Sequence, residues 1–231
     1  MEPLIFTYHL TFEDQTSETF RLCLDPQSFE LIDHLPDPLP PWAELTFHQC
    51  PHCPLDHHIH PHCPVAAHLA TIVTRFSHIL PYEKAHLEVV LDDRAISQDT
   101  TIQAAVGSFM GIIMAGSGCP HTAYFKPMAR FHVPLATPEE TMYRSVSMFF
   151  MAQYFLYKDG QPMDCDLNGL IRIYENIHTV NASLAERFLA ASKRDSSIDA
   201  LVQLDIYAMT FLGILDEPLE ELRPLFHAFF G

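Results

Sequence analysis

The spacing of the apolar residues changes along this chain, and that change limits the folds it can adopt. In the first third, apolar side chains alternate with polar ones, as from Leu4 to Phe12, which predicts strands with one buried face. From about residue 99 onward they recur every three or four positions, which predicts amphipathic helices. Strands followed by helices are typical of an α+β protein. We therefore predict a small N-terminal antiparallel sheet with one helix, packed on a C-terminal helical bundle.

The predicted domain organisation follows the same change. Residues 1–98 are expected to form an antiparallel β subdomain that contains the Cys/His-rich loop 48–63, a short strand over Phe29–Ile32 and a helix near residues 64–78. Residues 99–231 are expected to form a helical subdomain. A chain of 231 residues can bury a substantial core, so we expect the two parts to form one compact unit.

Two segments in the helical part have the pattern of a helix start. Thr100 and Gln103 fit a capping box ahead of an apolar helix that ends near Gly116. Thr137 is a stronger N-cap candidate, because proline and two glutamates follow it. The helix that it begins is expected to carry these residues inward: Met142, Val146, Phe149, Phe150 and Tyr154. Further helices are predicted over Leu167–Lys193, from Asp195 or Ser196, and from Asp216 or Glu217 to Phe230.

Four of the six cysteines are each followed directly by proline: Cys50, Cys53, Cys63 and Cys119. Proline biases the preceding residue towards extended backbone, which leaves the cysteine outside a helix. The C-x2-C spacing of the first pair lets one tight turn bring two sulfurs to one ion. Four thiolates satisfy tetrahedral zinc and equally a [4Fe–4S] cluster. We predict a metal site of these four residues with zinc, and the cluster as the alternative; ordinary thiols in a proline-rich loop remain the other interpretation.

Histidines are concentrated around the same cysteines. Seven of the 15 lie between His48 and His68. Three histidines are candidate additional ligands: His48, His62 and His121. Three others are expected to be solvated and to bind only adventitious metal: His57, His58 and His60.

The tetrapeptide from Cys50 to Cys53 is similar to the active site of thiol–disulfide oxidoreductases. In those proteins the first cysteine caps a helix. Here Pro54 and Pro61 stop any such helix, and no βαβ pattern surrounds the motif. A redox function is therefore the weaker interpretation of this motif.

A second group of cationic and titratable residues follows the last Cys-Pro step: His121, Lys126, Arg130 and His132. They are candidate catalytic residues, because they can face an anionic ligand or cluster and serve as ligand or general base. The structural alternative is that Arg130 pairs with Glu139 or Glu140 and that His132 satisfies a helix end.

The net charge limits the partners. With 29 acidic and 13 basic residues the chain carries −16, which disfavours nucleic acid and anionic membranes. The N-terminus lacks the pattern of a signal peptide, and the uncharged stretch from Thr100 to Phe125 is too mixed for a membrane span. We therefore expect a cytoplasmic protein with reduced cysteines. A protein partner or a homo-oligomer is left open.

Four segments carry a resemblance to a known family: Cys50–Leu55, Ser117–Thr122, Pro127–His132 and Val180-Asn181. On these segments the chain resembles an uncharacterised bacterial protein family of unknown function. The resemblance implies a bacterial intracellular protein and carries no activity.

Two functional hypotheses follow. In the first, the four Cys-Pro cysteines hold zinc in a structural or sensory role. In the second, they hold an iron–sulfur or catalytic metal centre with redox or electron-transfer activity, and the second group of residues acts beside it. A closed four-thiolate site favours the first, and an open coordination position or a coloured cluster favours the second.

Overall fold

The computed structural model describes residues 2–76, 80–191, 198–199, 201–202, 205 and 216–230. One antiparallel sheet forms from β1 (Leu4–Phe12), β2 (Ser17–Leu24), β3 (Lys84–Val90) and β4 (Ala95–Thr101). Its strand order is β2-β1-β3-β4. The predicted N-terminal antiparallel sheet is thus confirmed.

Six α-helices lie in the described part of the chain: α1 (Pro64–Phe76), α2 (Ile102–Gly116), α3 (Lys126–Arg130), α4 (Pro138–Lys158), α5 (Asn168–Ala191) and α6 (Asp216–Leu222). Short 3-10 helices cover Pro41–Ala43, Ala123–Phe125 and Arg223–Phe229. The α+β class predicted from the apolar spacing is confirmed. The helix predicted from Asp195 or Ser196 falls mostly outside the described residues.

The sheet shares one hydrophobic core with residues of α1, α2, α3 and α5. The alternating residues Phe6, Tyr8 and Leu10 of β1 are almost fully buried, as the period of two predicts. The core is continued by Phe76 of α1, by Phe109 and other residues of α2, and by the C-terminal half of α5. The N-terminal half of α5 packs instead with α4 in a second, smaller cluster that includes Leu170 and Tyr174. Helix α5 therefore connects the sheet to α4.

Two local predictions in the first half are wrong. Residues Phe29–Ile32 do not form a strand: a turn closed by Phe29 N–H donating to the Asp25 carbonyl leaves only a bridge between Leu31 and Leu24. The Asp25 carboxylate accepts two further backbone N–H groups, which stabilises the turn. The cap of α2 is Thr101 and not Thr100, because β4 continues to Thr101, whose hydroxyl accepts the Ala104 N–H.

Helix α4 begins as predicted but buries fewer residues than expected. Thr137 and Glu140 form the reciprocal capping box. Met142 and Phe149 are buried, whereas Phe150 and Tyr154 are 38% and 53% exposed. The expected inward position of the last two is wrong, because each residue turns about 100° from its neighbour and only one stripe of α4 meets α5.

Candidate functional site

Backbone hydrogen bonds join the C-terminal end of the cysteine loop to the segment that precedes the loop. The Cys63 N–H donates to the Ala43 carbonyl at 2.8 Å, and the Leu45 N–H donates to the Pro61 carbonyl at 2.9 Å. These bonds place Cys63 directly before α1, where the backbone N–H groups of Val65 and Ala66 act on its thiol. The sulfur of Cys63 therefore lies at a helix N-terminus, which favours a negative charge.

The other three Cys-Pro cysteines lie around the same place. The Cys53 N–H donates to the Cys50 carbonyl at 2.9 Å, which closes the turn of the C-x2-C motif. Burial raises the pKa of the Cys50 thiol, a hydrogen bond with Ser183 of α5 lowers it, and the thiols of Cys63, Cys53 and Cys119 raise it further. Cys50 thus lies within electrostatic reach of all three other cysteines that the sequence groups together, including the distant Cys119.

Their sulfurs do not have the spacing of a closed metal site. Within the described ranges, the only three metal-binding side chains whose ligand atoms all lie within 4.8 Å of one another are Asp56, His57 and His58, which are exposed. Four sulfurs around one zinc ion lie about 3.8 Å apart, since each Zn–S bond is about 2.3 Å. The fold therefore gathers the four cysteines into one region without bringing three of them to ligand distance.

Arg187 of α5 is the largest fully buried side chain beside this region, with 1% of its surface exposed. Its guanidinium donates to the carbonyls of Trp42, Glu44 and Leu45 at 2.7, 2.7 and 3.0 Å. Burial lowers the pKa of Arg187, and the cysteine thiols at positions 63, 50 and 53 raise it. Across the described residues, no carboxylate lies within ion-pair distance of Arg187. The nearby acidic groups that act on this buried cation are therefore the thiols.

Two stacked imidazoles lie against the C-x2-C turn. The rings of His52 and His121 are 3.9 Å apart and almost parallel, at 15°. Each ring uses Nε2–H to donate to a backbone carbonyl, His52 to Asn176 at 3.2 Å and His121 to His52 at 3.1 Å. In a neutral ring the lone pair then lies on Nδ1, and that of His52 is buried without a partner. Metal-binding histidines typically have their other ring nitrogen held in this way.

Burial lowers the pKa of His52, and the neighbouring His121 lowers it further. Both effects favour the neutral imidazole that a metal requires. His121 was a predicted candidate ligand, whereas His52 and Arg187 were missed. The position of His52 between the two cysteines of the C-x2-C motif could have indicated it as a candidate ligand. Nothing in the sequence around Arg187 distinguishes it from a surface arginine of a long helix.

The remaining predicted histidine candidates have other surroundings. His48 Nδ1 lies 2.7 Å from a Glu186 carboxylate oxygen, so its ring already has an acidic partner. His62 is half-buried, and its backbone forms a bridge with Glu44. His57, His58 and His60 are exposed, as expected of solvated loop residues.

The second predicted group separates into different contacts. His121 lies in the cysteine region, whereas Lys126 pairs with Glu30 at 3.0 Å and Arg130 lies over the ring of Phe131. The proposed pairing of Arg130 with Glu139 or Glu140 is not among the ion pairs of the described residues, and the Glu140 carboxylate caps α4 instead. His132 does not cap a helix: its Nε2 lies 2.7 Å from the hydroxyl of Tyr8 in the sheet.

The comparisons with known proteins bear on family and not on activity. Residues 6–227 match the family described as "Domain of unknown function (DUF6901)". The chain belongs to this family. The resemblance to an uncharacterised family is thereby confirmed. Neither the curated proteins nor the solved structures contain a match to the chain.

In the parts of this DUF6901 protein that the structure describes, no helix is both long enough and apolar enough to cross a membrane. This agrees with the expectation for the stretch from Thr100 to Phe125, most of which is the buried helix α2.

Proposed function

We propose that this protein binds zinc through Cys50, Cys53, Cys63 and Cys119, in a structural or sensory role. The observation that supports it best is Arg187. A guanidinium that is 1% exposed and has no carboxylate partner in the described ranges needs a compensating negative charge. Zinc with four thiolates carries a net charge of −2. Such a centre beside Arg187 supplies that charge.

Binding requires a local rearrangement. Burial raises the thiol pKa values of Cys50 and Cys63, so both are protonated in the metal-free protein at neutral pH. Zinc displaces these protons, and the sulfurs then close from their present separation to ligand distance. The loop residues from Asp56 to His60 are exposed, so their displacement would not disturb the core.

The proposed site connects distant parts of the chain. Cys50 and Cys53 belong to the loop, Cys63 precedes α1, and Cys119 follows α2. A metal that joins these segments stabilises their packing by many kcal/mol, as structural zinc does in small domains. In a sensory role, binding and loss of the metal would change the position of the loop relative to the end of α2.

An iron–sulfur cluster is the alternative, because Arg187 offsets the charge of a four-thiolate cluster equally well. In this form the centre has redox or electron-transfer activity. Of the residues predicted to act beside it, His121 lies in the cysteine region. Lys126, Arg130 and His132 make contacts with other groups, which does not favour a catalytic role at the cysteines.

We also propose that the protein is cytoplasmic and does not bind nucleic acid. A reducing compartment holds the six cysteines as thiols, and all six are free in the structure. The net charge of −16 repels phosphate backbones.

The test is metal analysis of protein purified without a histidine tag under anaerobic conditions. We expect about one zinc ion per chain, the number that a single site with four cysteine ligands holds. Cys119→Ser should lose most of this zinc, and the exposed Cys165→Ser is the matched control that keeps it. Thiolate-to-iron absorbance with stoichiometric iron would identify the alternative cluster.

Two results contradict the four-cysteine proposal. Metal-free protein that is folded and unaffected by chelator would remove metal binding altogether. Full metal content in Cys119→Ser would confine the site to the loop, outside the four-ligand arrangement.

A further inference from the structure

A cavity of about 440 Å³ lies between α2, α3, α4 and α5, apart from the cysteines. Sites for small molecules have volumes of about 300–1,000 Å³. Small residues of α2 make the room, including Ala104, Gly107 and Gly111. A Cβ added to Gly111 would meet no atom within 4 Å, so this face of α2 borders open space.

One end of the cavity presents hydrogen-bond donors. The buried phenol of Tyr8 lies 2.7 Å from His132 Nε2. Because a phenol is a stronger donor than acceptor, Tyr8 donates to Nε2, and the neutral ring carries its hydrogen on Nδ1. Burial, with a smaller effect from Arg144, lowers the pKa of His132 to about 3, so the ring is neutral. No hydrogen-bond partner of Nδ1 lies within the described residues.

Among the described residues that line the cavity, Arg144 is the single charged side chain. Its Nη2 donates to the carbonyls of Met128 and Phe131 at 2.7 and 2.9 Å, which holds the guanidinium in place. Its Nε and Nη1 have no partner in the parts of the chain that the structure describes. Glu140 acts on Arg144 from α4, but its carboxylate is held in the capping box.

The lining of this cavity differs in charge from the chain as a whole. The chain has 29 acidic and 13 basic residues, yet the lining residues that the structure describes include one arginine and no carboxylate. Most of the remaining lining is apolar, such as Ile112, Val133 and Ile177. The cavity therefore combines an apolar body with one cationic, donor-rich end.

We propose that this cavity binds a small apolar molecule with one carboxylate group. The carboxylate lies between the guanidinium of Arg144 and the Nδ1–H of His132, and the apolar part lies along the small residues of α2. Arginine forms strong charge-assisted bonds with carboxylates, and the partial burial of Arg144 strengthens them. This site is independent of the proposed zinc centre.

The experiment is isothermal titration calorimetry of the full chain with hexanoate, octanoate, decanoate and phenylacetate, with 1-octanol as the uncharged match to octanoate. We expect at least one of the acids to bind, and octanoate to bind about tenfold or more tightly than 1-octanol, because only the acid forms a charge-assisted bond with Arg144. Equal affinities would overturn the role of the carboxylate. Binding by none of the four acids would overturn the site.

Variants of the cavity residues test where the acids bind. Gly111→Leu places a side chain into the open space and should abolish binding of every acid while keeping the helix, because leucine favours helix over glycine. Arg144→Gln should weaken octanoate about tenfold and leave 1-octanol unchanged. The exposed Arg172→Gln is the matched control with unchanged affinity. If Arg144→Gln does not fold, Gly111→Leu decides alone: octanoate binding to folded Gly111→Leu at wild-type affinity would overturn the cavity as the site.

Discussion

The cysteine region and the cavity are each built around an arginine that is fixed by backbone carbonyls. Arg187 donates to three carbonyls and Arg144 to two, and neither has an ion-pair partner within the described residues. What faces each guanidinium differs. Thiols, which can become anionic, act on Arg187, whereas the neutral ring of His132 lies near Arg144 and the Glu140 carboxylate that acts on Arg144 is held in the capping box. The same anchored cation therefore suits a thiolate centre in one place and an external anion in the other.

The two arginines also differ in burial. Replacing each of them tests this difference and gives the largest expected change in stability. Arg187→Leu leaves the buried carbonyls of Trp42, Glu44 and Leu45 without a donor, so we expect a loss of about 3–5 kcal/mol in the free energy of unfolding. Arg144→Leu should cost about 1–2 kcal/mol, because its carbonyls lie at a less buried helix end. Urea denaturation measures both, with Arg172→Leu as the exposed control. Equal losses for Arg144 and Arg187 would contradict the comparison.

Zinc should stabilise the protein through the cysteine region, and this effect should not depend on the cavity. If zinc binds the four cysteines, a free concentration 100 times the Kd stabilises the protein by about 2.7 kcal/mol, seen as a rise in Tm. Cys63→Ser should abolish this rise, while the exposed Cys165→Ser should keep it. Gly111→Leu, which fills the cavity, should keep it too. A zinc-dependent Tm that survives Cys63→Ser would place the metal elsewhere.

The cavity region should respond to pH through His132. Its pKa in the folded protein is about 3, below the ordinary 6.5, so the unfolded chain binds more protons between these values. The stability that His132 contributes is complete above pH 6.5 and is lost as pH falls towards 3. Between pH 7 and pH 5 we expect a loss of about 2 kcal/mol. The free energy of unfolding, measured by urea denaturation at each pH, should not show this loss in His132→Gln and should still show it in the exposed His57→Gln. If the free energy of unfolding of His132→Gln depends on pH as in the wild type, the burial of a neutral ring is contradicted.

Local patterns in the sequence predicted local structure well. Strand β1 alternates, and α4 starts at Thr137, because the residues responsible are neighbours along the chain. The prediction for Phe29–Ile32 was wrong because the Asp25 side chain stabilises a turn more strongly than an apolar run favours a strand. The positions of Phe150 and Tyr154 were wrong because helical spacing does not say which stripe a neighbour covers.

By itself, the sequence determined the α+β order of elements and the grouping of four Cys-Pro cysteines, since both depend on spacing and on the chemistry of single residues. Only the tertiary structure decided that Arg187, more than 120 residues beyond the C-x2-C motif, lies beside those thiols. The tertiary structure likewise decided that His132 contacts Tyr8 of the sheet. The physical reason is that burial of a charge, the choice of its partner and the shape of a cavity depend on segments far apart in the chain, which no local pattern encodes.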